Sequence, residues 1–152
     1  MGYTLAATLD LLLPGGSVVV SELVPEVVEW NRGPLGPLAG HPLDDPRTDL
    51  IVGEVADVIR DSKSRFDAVL LDVDNGVDSL TRAHNSCLYT AEGLAAAHRS
   101  LRPHGALAVW SAGTERTFES RLRAAGFTAS THHVRGRDKR GGHYFVFVGR
   151  RP

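Results

Sequence analysis

The sequence predicts an α/β fold built on a mostly parallel sheet, with a C-terminal antiparallel hairpin added to it. Three observations carry this expectation. Short aliphatic runs alternate with amphipathic helical segments through most of the chain, as in a parallel sheet with helical crossovers. The chain then reaches two strand-like runs separated by a glycine-containing connection too short for a crossover helix. Its 152 residues suit one domain with one core, and 42% hydrophobic against 23% charged residues is ordinary globular usage.

Leu5, Leu9, Leu12 and Leu13 share one helical face, and Pro14-Gly15-Gly16 ends that first helix. Val18-Val19-Val20 reads as a strand buried on both faces. Pro25 suits the first turn of a helix whose apolar side is Val27, Val28 and Trp30. Four prolines between Asn31 and Thr48 predict a long ordered loop. Leu50-Ile51-Val52 is a second buried strand, a short helix follows around Ala56 to Arg60, and Ala68 to Leu71 is a third strand ending at Asp72. After a polar connection from Val73 to Ser86, Thr90 is placed to cap a helix with Leu94, Ala97 and Leu101 on one face. Arg99 and Arg102 suit its C-terminal dipole, and Pro103-His104-Gly105 stops it. Ala106 to Trp110 is a fourth strand, and Phe118, Leu122 and Ala125 line one more helix. Phe127 to Val134 mixes polar and apolar residues and reads as a sheet edge, whereas Tyr144 to Val148 is apolar throughout and reads as sheet interior.

Seventeen basic and eighteen acidic residues leave a net charge of -1, so no global field draws the protein to nucleic acid or to an anionic membrane. Arg135, Arg137, Lys139 and Arg140 make a basic connection without interleaved aromatics, which reads as a solvated hairpin. No apolar run has the length of a membrane span, and the N-terminus lacks the pattern of a secretory signal. One cysteine, Cys87, forms no intrachain disulfide, and a reducing cytoplasm is the expected setting.

In sheets of this kind ligands sit beyond the carboxyl ends of the parallel strands. That rule selects Glu22 and Leu23 after the first strand, Glu54 and Val55 after the second, and Asp72 to Asn75 after the third. An acid such as Glu22 can accept the hydroxyl protons of a ribose; the bland reading is a solvated strand end. Asp72 and Asp74 are two nearby carboxylates, and such pairs raise one another's pKa, so one can act as general base or hold a substrate amine. The competing reading of Asp72 to Gly76 is an Asx-type turn. His132, His133 and His143 lie on the last two strands, but their spacing fits no standard zinc pattern and adjacent strand residues point to opposite faces, so no metal is expected.

The segments Val18 to Val28, Val52 to Val58 and Phe66 to Asp74 resemble the spermidine synthase-like branch of the class I S-adenosylmethionine-dependent methyltransferase fold. The resemblance continues through Leu88 to Leu94 and Leu101 to Leu107 into the terminal hairpin. It implies a Rossmann-like sheet, with S-adenosylmethionine or its decarboxylated form as substrate and a small-molecule acceptor. By the same resemblance Glu22 holds the ribose, Gly53-Glu54 reaches the adenine, and Asp72 deprotonates or positions the acceptor amine. Tyr89 is a further pocket candidate, and Gly2-Tyr3 looks like the tail of the family's glycine turn.

The departures are specific. Asn75-Gly76 stands where aminopropyltransferases carry a second acid and a proline, and Glu54 replaces an aspartate. The family's N-terminal β segment and first strand have no counterpart, which implies a single truncated domain over residues 1–152. That strand would lie mid-sheet, between those ending at Glu22 and Asp72, and each backbone group left unpaired there costs on the order of 1–3 kcal/mol. Closure of the two edges on each other, or a homodimer covering them, is the expected remedy. Methyl and aminopropyl transfer both stay open, and the alternative to an enzyme is a non-catalytic or partner-binding fragment of the same fold.

Overall fold

The structure is a computed structural model that describes residues 2–72, 86–113, 117–135 and 143–152. The chain divides into two compact units, Met1–Val58 and Ile59–Pro152.

The first unit opens on helix α1 (Tyr3–Leu11), which buries Leu5 and Leu9. The helix ends two residues earlier than the leucine pattern suggests, because Leu12 is already extended, and Leu13 is 80% exposed beyond it. Strand β1 (Val18–Glu22) leads into helix α2 (Pro25–Arg32), with Pro25 at its first turn and Val28 buried. The proline-rich connection is not wholly irregular: single 3-10 turns form at Gly36–Ala39 and Pro42–Asp44. Strand β2 (Thr48–Val52) follows, then helix α3 (Val55–Arg60), which runs across the boundary between the units.

β1 and β2 pair in parallel, Val18 with Thr48 through Glu22 with Val52. They make a separate two-stranded sheet, which corrects the expectation of strands buried on both faces: each residue of β1 is half-buried and Val52 is 52% exposed. Arg47 ties the entry of β2 to the last turn of α1. Its Nη1 donates to the Leu9 carbonyl at 3.1 Å, while its Nε and Nη2 meet the two oxygens of Asp45 at 3.0 and 2.7 Å. One side chain thus satisfies a helix-end carbonyl and a carboxylate together.

The second unit holds β3 (Phe66–Leu71), α4 (Ala91–Ser100), β4 (Leu101–Ser111), α5 (Phe118–Ala124), β5 (Thr128–Arg135) and β6 (His143–Arg150). Its four strands run in the order β3-β4-β6-β5. β3 is parallel to β4, and β6 is antiparallel to both β4 and β5. β5 is therefore the edge and β6 the interior, as their compositions suggest. No ladder joins the two sheets among the described residues.

One face of the four-stranded sheet carries the core. Val69, Leu71, Leu107, Val109 and Phe147 are buried on it, and Leu94, Phe118 and Leu122 of α4 and α5 are at most 1% exposed. Phe118 stands edge-on to Phe147 at 5.1 Å and to Tyr89 at 5.8 Å, a favoured arrangement of ring quadrupoles. Thr90 caps α4 by accepting from the Gly93 N–H at 3.1 Å. Gly93 is required there, because a Cβ would lie 2.1 Å from the Cys87 carbonyl oxygen.

The structure corrects the end of α4. The helix stops at Ser100, not at Pro103, and Leu101 already pairs with Phe66. The ladder then jumps to Ala68 with Ala106, taking up Pro103, His104 and Gly105 in an irregular stretch where His104 has a positive φ of 67°. Arg102, assigned to the helix dipole from sequence, instead pairs with Asp67 at 2.5 Å.

The link at Asp45 is testable by pH. Hydrogen bonds from Arg47 hold its carboxyl down from the ordinary 3.8 to about 2. The folded value lies below the unfolded one, so the link stabilises above 3.8 and is lost as pH falls through about 2. Asp45→Asn is expected to lower the thermal midpoint at neutral pH. Melts followed by circular dichroism should show the gap to wild type closing as the pH approaches about 2.

Candidate functional site

In the first unit the parallel register brings two strand ends side by side. Glu22 is opposite Val52, and one step further the Gly53 N–H donates to the Glu22 carbonyl at 2.9 Å. Ser21 closes the pair from its side chain, its Oγ donating to the Gly53 carbonyl at 2.8 Å. The Glu22 carboxylate turns back over its own chain, and Oε1 accepts the Val24 N–H at 3.0 Å. Its second oxygen, Oε2, makes no hydrogen bond among the described residues and remains able to accept protons from a ligand.

A Cβ built on Gly53 would meet the Ile51 Cγ2 at 3.9 Å, an ordinary van der Waals contact, and Gly53 is half-buried. Leu23 is 43% exposed and offers an apolar contact. Glu54 and Val55 are half-buried, and the Glu54 carbonyl receives the Asp57 N–H at 3.1 Å where α3 begins. A carboxylate oxygen, a half-buried glycine and a partly exposed leucine thus stand together at neighbouring strand ends.

Gly2 and Tyr3 lie elsewhere in this unit. Gly2 has a positive φ of 75°, and its Cβ position falls 3.1 Å from Pro42 Cγ and 3.5 Å from Asn31 Oδ1. Asn31 belongs to the last turn of α2, whereas Glu22 precedes its first turn, so the structure does not bring Gly2 beside Glu22. Tyr3 is 53% exposed at the start of α1.

In the second unit Asp72 follows the last residue of β3 and is exposed. Val73, Asp74 and Asn75 lie outside the described residues, as do Arg137, Lys139 and Arg140 of the basic connection. The last register pair is Leu71 with Val109, which places Trp110 one step on, beside Asp72. Trp110 stacks on Tyr144 at 5.2 Å with the rings 30° apart, both half-buried. Ser21 and the Trp110–Tyr144 pair were not selected from sequence. A hydroxyl directly before a strand-end acid was the only visible signal for Ser21, and the ring pair depends on cross-strand register.

The fold is that of solved spermidine synthases and S-adenosylmethionine-dependent methyltransferases. Its sequence is homologous to polyamine aminopropyltransferases. It is 28% identical over 124 residues to the polyamine aminopropyltransferase of Korarchaeum cryptofilum, covering 80% of this chain and 37% of the relative. It is 31% identical over 144 residues to that of Mycobacterium tuberculosis, covering 88% of this chain and 27% of the relative. The chain thus spans about a third of the length of these relatives. A spermidine synthase solved in complex with the transition-state analogue AdoDATO matches with a TM-score of 0.78 at 20% identity, over 99% of this chain and 52% of that one. The Burkholderia thailandensis 1,6-didemethyltoxoflavin-N1-methyltransferase, solved with S-adenosylhomocysteine, matches with a TM-score of 0.58 at 21% identity, over 97% of this chain and 76% of that one. No family model matches the chain.

Tyr89, selected from sequence as a pocket residue, is 3% exposed and packs edge-on to Phe118. Burial pushes its hydroxyl up to about 12. The hydroxyl has no hydrogen-bond partner among the described residues. A buried polar group left unpaired costs about 1–3 kcal/mol. Tyr89→Phe is therefore expected to be neutral or stabilising by up to that amount, read from urea unfolding midpoints with and without an adenosyl ligand. A loss of stability without ligand would show that the hydroxyl is satisfied in solution.

Proposed function

We propose that this chain binds an adenosyl nucleoside and acts as a group transferase on a small-molecule acceptor, in the manner of a spermidine synthase-like or methyltransferase-like domain. The observation that supports it most directly is the pairing of Glu22 with Gly53 at adjacent strand ends, with Glu22 Oε2 free to accept hydrogen bonds. Glu22 takes the ribose hydroxyls, Gly53, Glu54 and Val55 lie against the base, and Leu23 covers its apolar face. Gly2 and Tyr3 remain candidates for the carboxylate end of the ligand, and Asn75 for its rim. S-adenosylmethionine and its decarboxylated form are the ligands in view; they are substrates, because they supply the group that is transferred.

The acceptor's nucleophilic atom forms a bond to a carbon attached to the sulfonium. That carbon–sulfur bond breaks, and sulfur keeps the electron pair as a neutral thioether. The protein's contribution is alignment and removal of the acceptor's proton. Asp72, with Asp74, receives that proton or holds the acceptor amine, and Tyr89 is a further candidate on the acceptor side. We place the whole chain in one functional domain, in the cytoplasm, with a homodimer as the means of covering the open edges of β1 and β3. That β1 and β2 form a two-stranded sheet of their own favours a second reading, a non-catalytic or partner-binding fragment of this fold.

Calorimetric titration with S-adenosylmethionine, S-adenosylhomocysteine and decarboxylated S-adenosylmethionine separates the readings. Saturable binding is expected with at least one of them, weakened about 10- to 100-fold in Glu22→Ala, the range for losing a hydrogen bond to a charged group. Folded protein that gives no heat with any of the three would favour the second reading.

A further inference from the structure

We propose that His133 and His143 form a chelating site for a divalent transition-metal ion on the end of the β5–β6 hairpin. The inference stands apart from the nucleoside reading and uses other residues.

Register brings the two imidazoles together. His133 pairs with Phe145, and His143 lies two residues earlier on β6, so both side chains project from one face of the hairpin. His133 Nε2 and His143 Nδ1 are 2.7 Å apart. The ring planes are within 11° of each other and the centroids are 4.8 Å apart. With the nitrogens that close, this separation is that of rings meeting edge to edge through those nitrogens, not lying face over face. Phe145, directly across from His133, has its ring centroid 5.1 Å from that imidazole, tilted by 31°. Both imidazoles are exposed, so an ion reaches them from solvent.

In the hydrogen-bonded pair one nitrogen carries the proton and the other accepts it. A metal ion replaces that proton. The donor imidazole takes up the tautomer with hydrogen on its other ring nitrogen, so no net proton leaves the pair. Both lone pairs then bind the ion at about 2.0–2.1 Å. Rotation of the two exposed side chains opens the angle between them. Among the described residues no third His, Cys, Asp or Glu joins the group, so water fills the remaining positions. Imidazole ligands of this kind select zinc, nickel or copper over magnesium or calcium. Arg135, opposite His143, is the neighbouring cation that such an ion must tolerate.

His132 supplies the internal control. It is adjacent in sequence but points to the opposite face of β5, where its Nε2 meets Ser130 Oγ at 3.2 Å. Titration of the full chain with zinc chloride and with nickel chloride, followed by calorimetry, is expected to show one ion bound per chain at the tightest site. His133→Gln and His143→Gln should each weaken it about a hundredfold, the loss expected when a two-point attachment becomes a single one. His132→Gln should leave it unchanged, and magnesium chloride should give no comparable heat. The proposal is overturned if zinc and nickel do not bind, if either His133→Gln or His143→Gln binds as tightly as wild type, or if His132→Gln weakens binding equally.

Discussion

The feature on which the candidate site depends is the parallel register of β1 and β2. The arrangement at these strand ends follows from it: once Glu22 is opposite Val52, the next backbone step must satisfy the Glu22 carbonyl, and Gly53 does so. Slipping the pairing by one residue would turn the side chains of the slipped strand to its other face. It would also carry Gly53 away from Glu22. Ser21 adds a side-chain restraint on the same step through the Gly53 carbonyl. The position of the carboxylate is thus set by main-chain hydrogen bonds, and its own Oε1 is committed to Val24, which leaves a single oxygen for ligand.

The two units differ in how they are held. In the first, a short ribbon leans on polar fastenings such as Asp45–Arg47–Leu9, and its strands stay half-exposed. In the second, an aromatic column of Tyr89, Phe118 and Phe147 lies on the buried face of a four-stranded sheet. Arg121 closes that column, its guanidinium over the Phe118 ring and its Nη2 donating to the Tyr89 carbonyl.

Much of this was legible because local chemistry and tertiary structure agree. The valine and leucine runs announced β1, β2 and β3, the Thr90 hydroxyl announced the start of α4, and the mixed polarity of residues 127–134 announced an edge. Where they disagree, the tertiary ladder prevailed. Pro103-His104-Gly105 reads as a helix stop, yet Leu101 had already left the helix to pair with Phe66. Tyr89 reads as a pocket residue because nothing in sequence shows the Phe118 ring against it. The meeting of His133 and His143 depends on a diagonal across two strands, which spacing along the chain does not encode.

The place of β6 has a consequence for biosynthesis. It is the last strand in the chain order, yet it lies between β4 and β5. During translation β4 therefore waits with one side uncovered, and β5 has no neighbour at all, until Arg150 has cleared the ribosome. Assembly of this layer therefore waits on the synthesis of β6. Nascent chains stalled short of it would present unpaired apolar ribbons, the kind of surface that chaperones shield and that otherwise seeds aggregates.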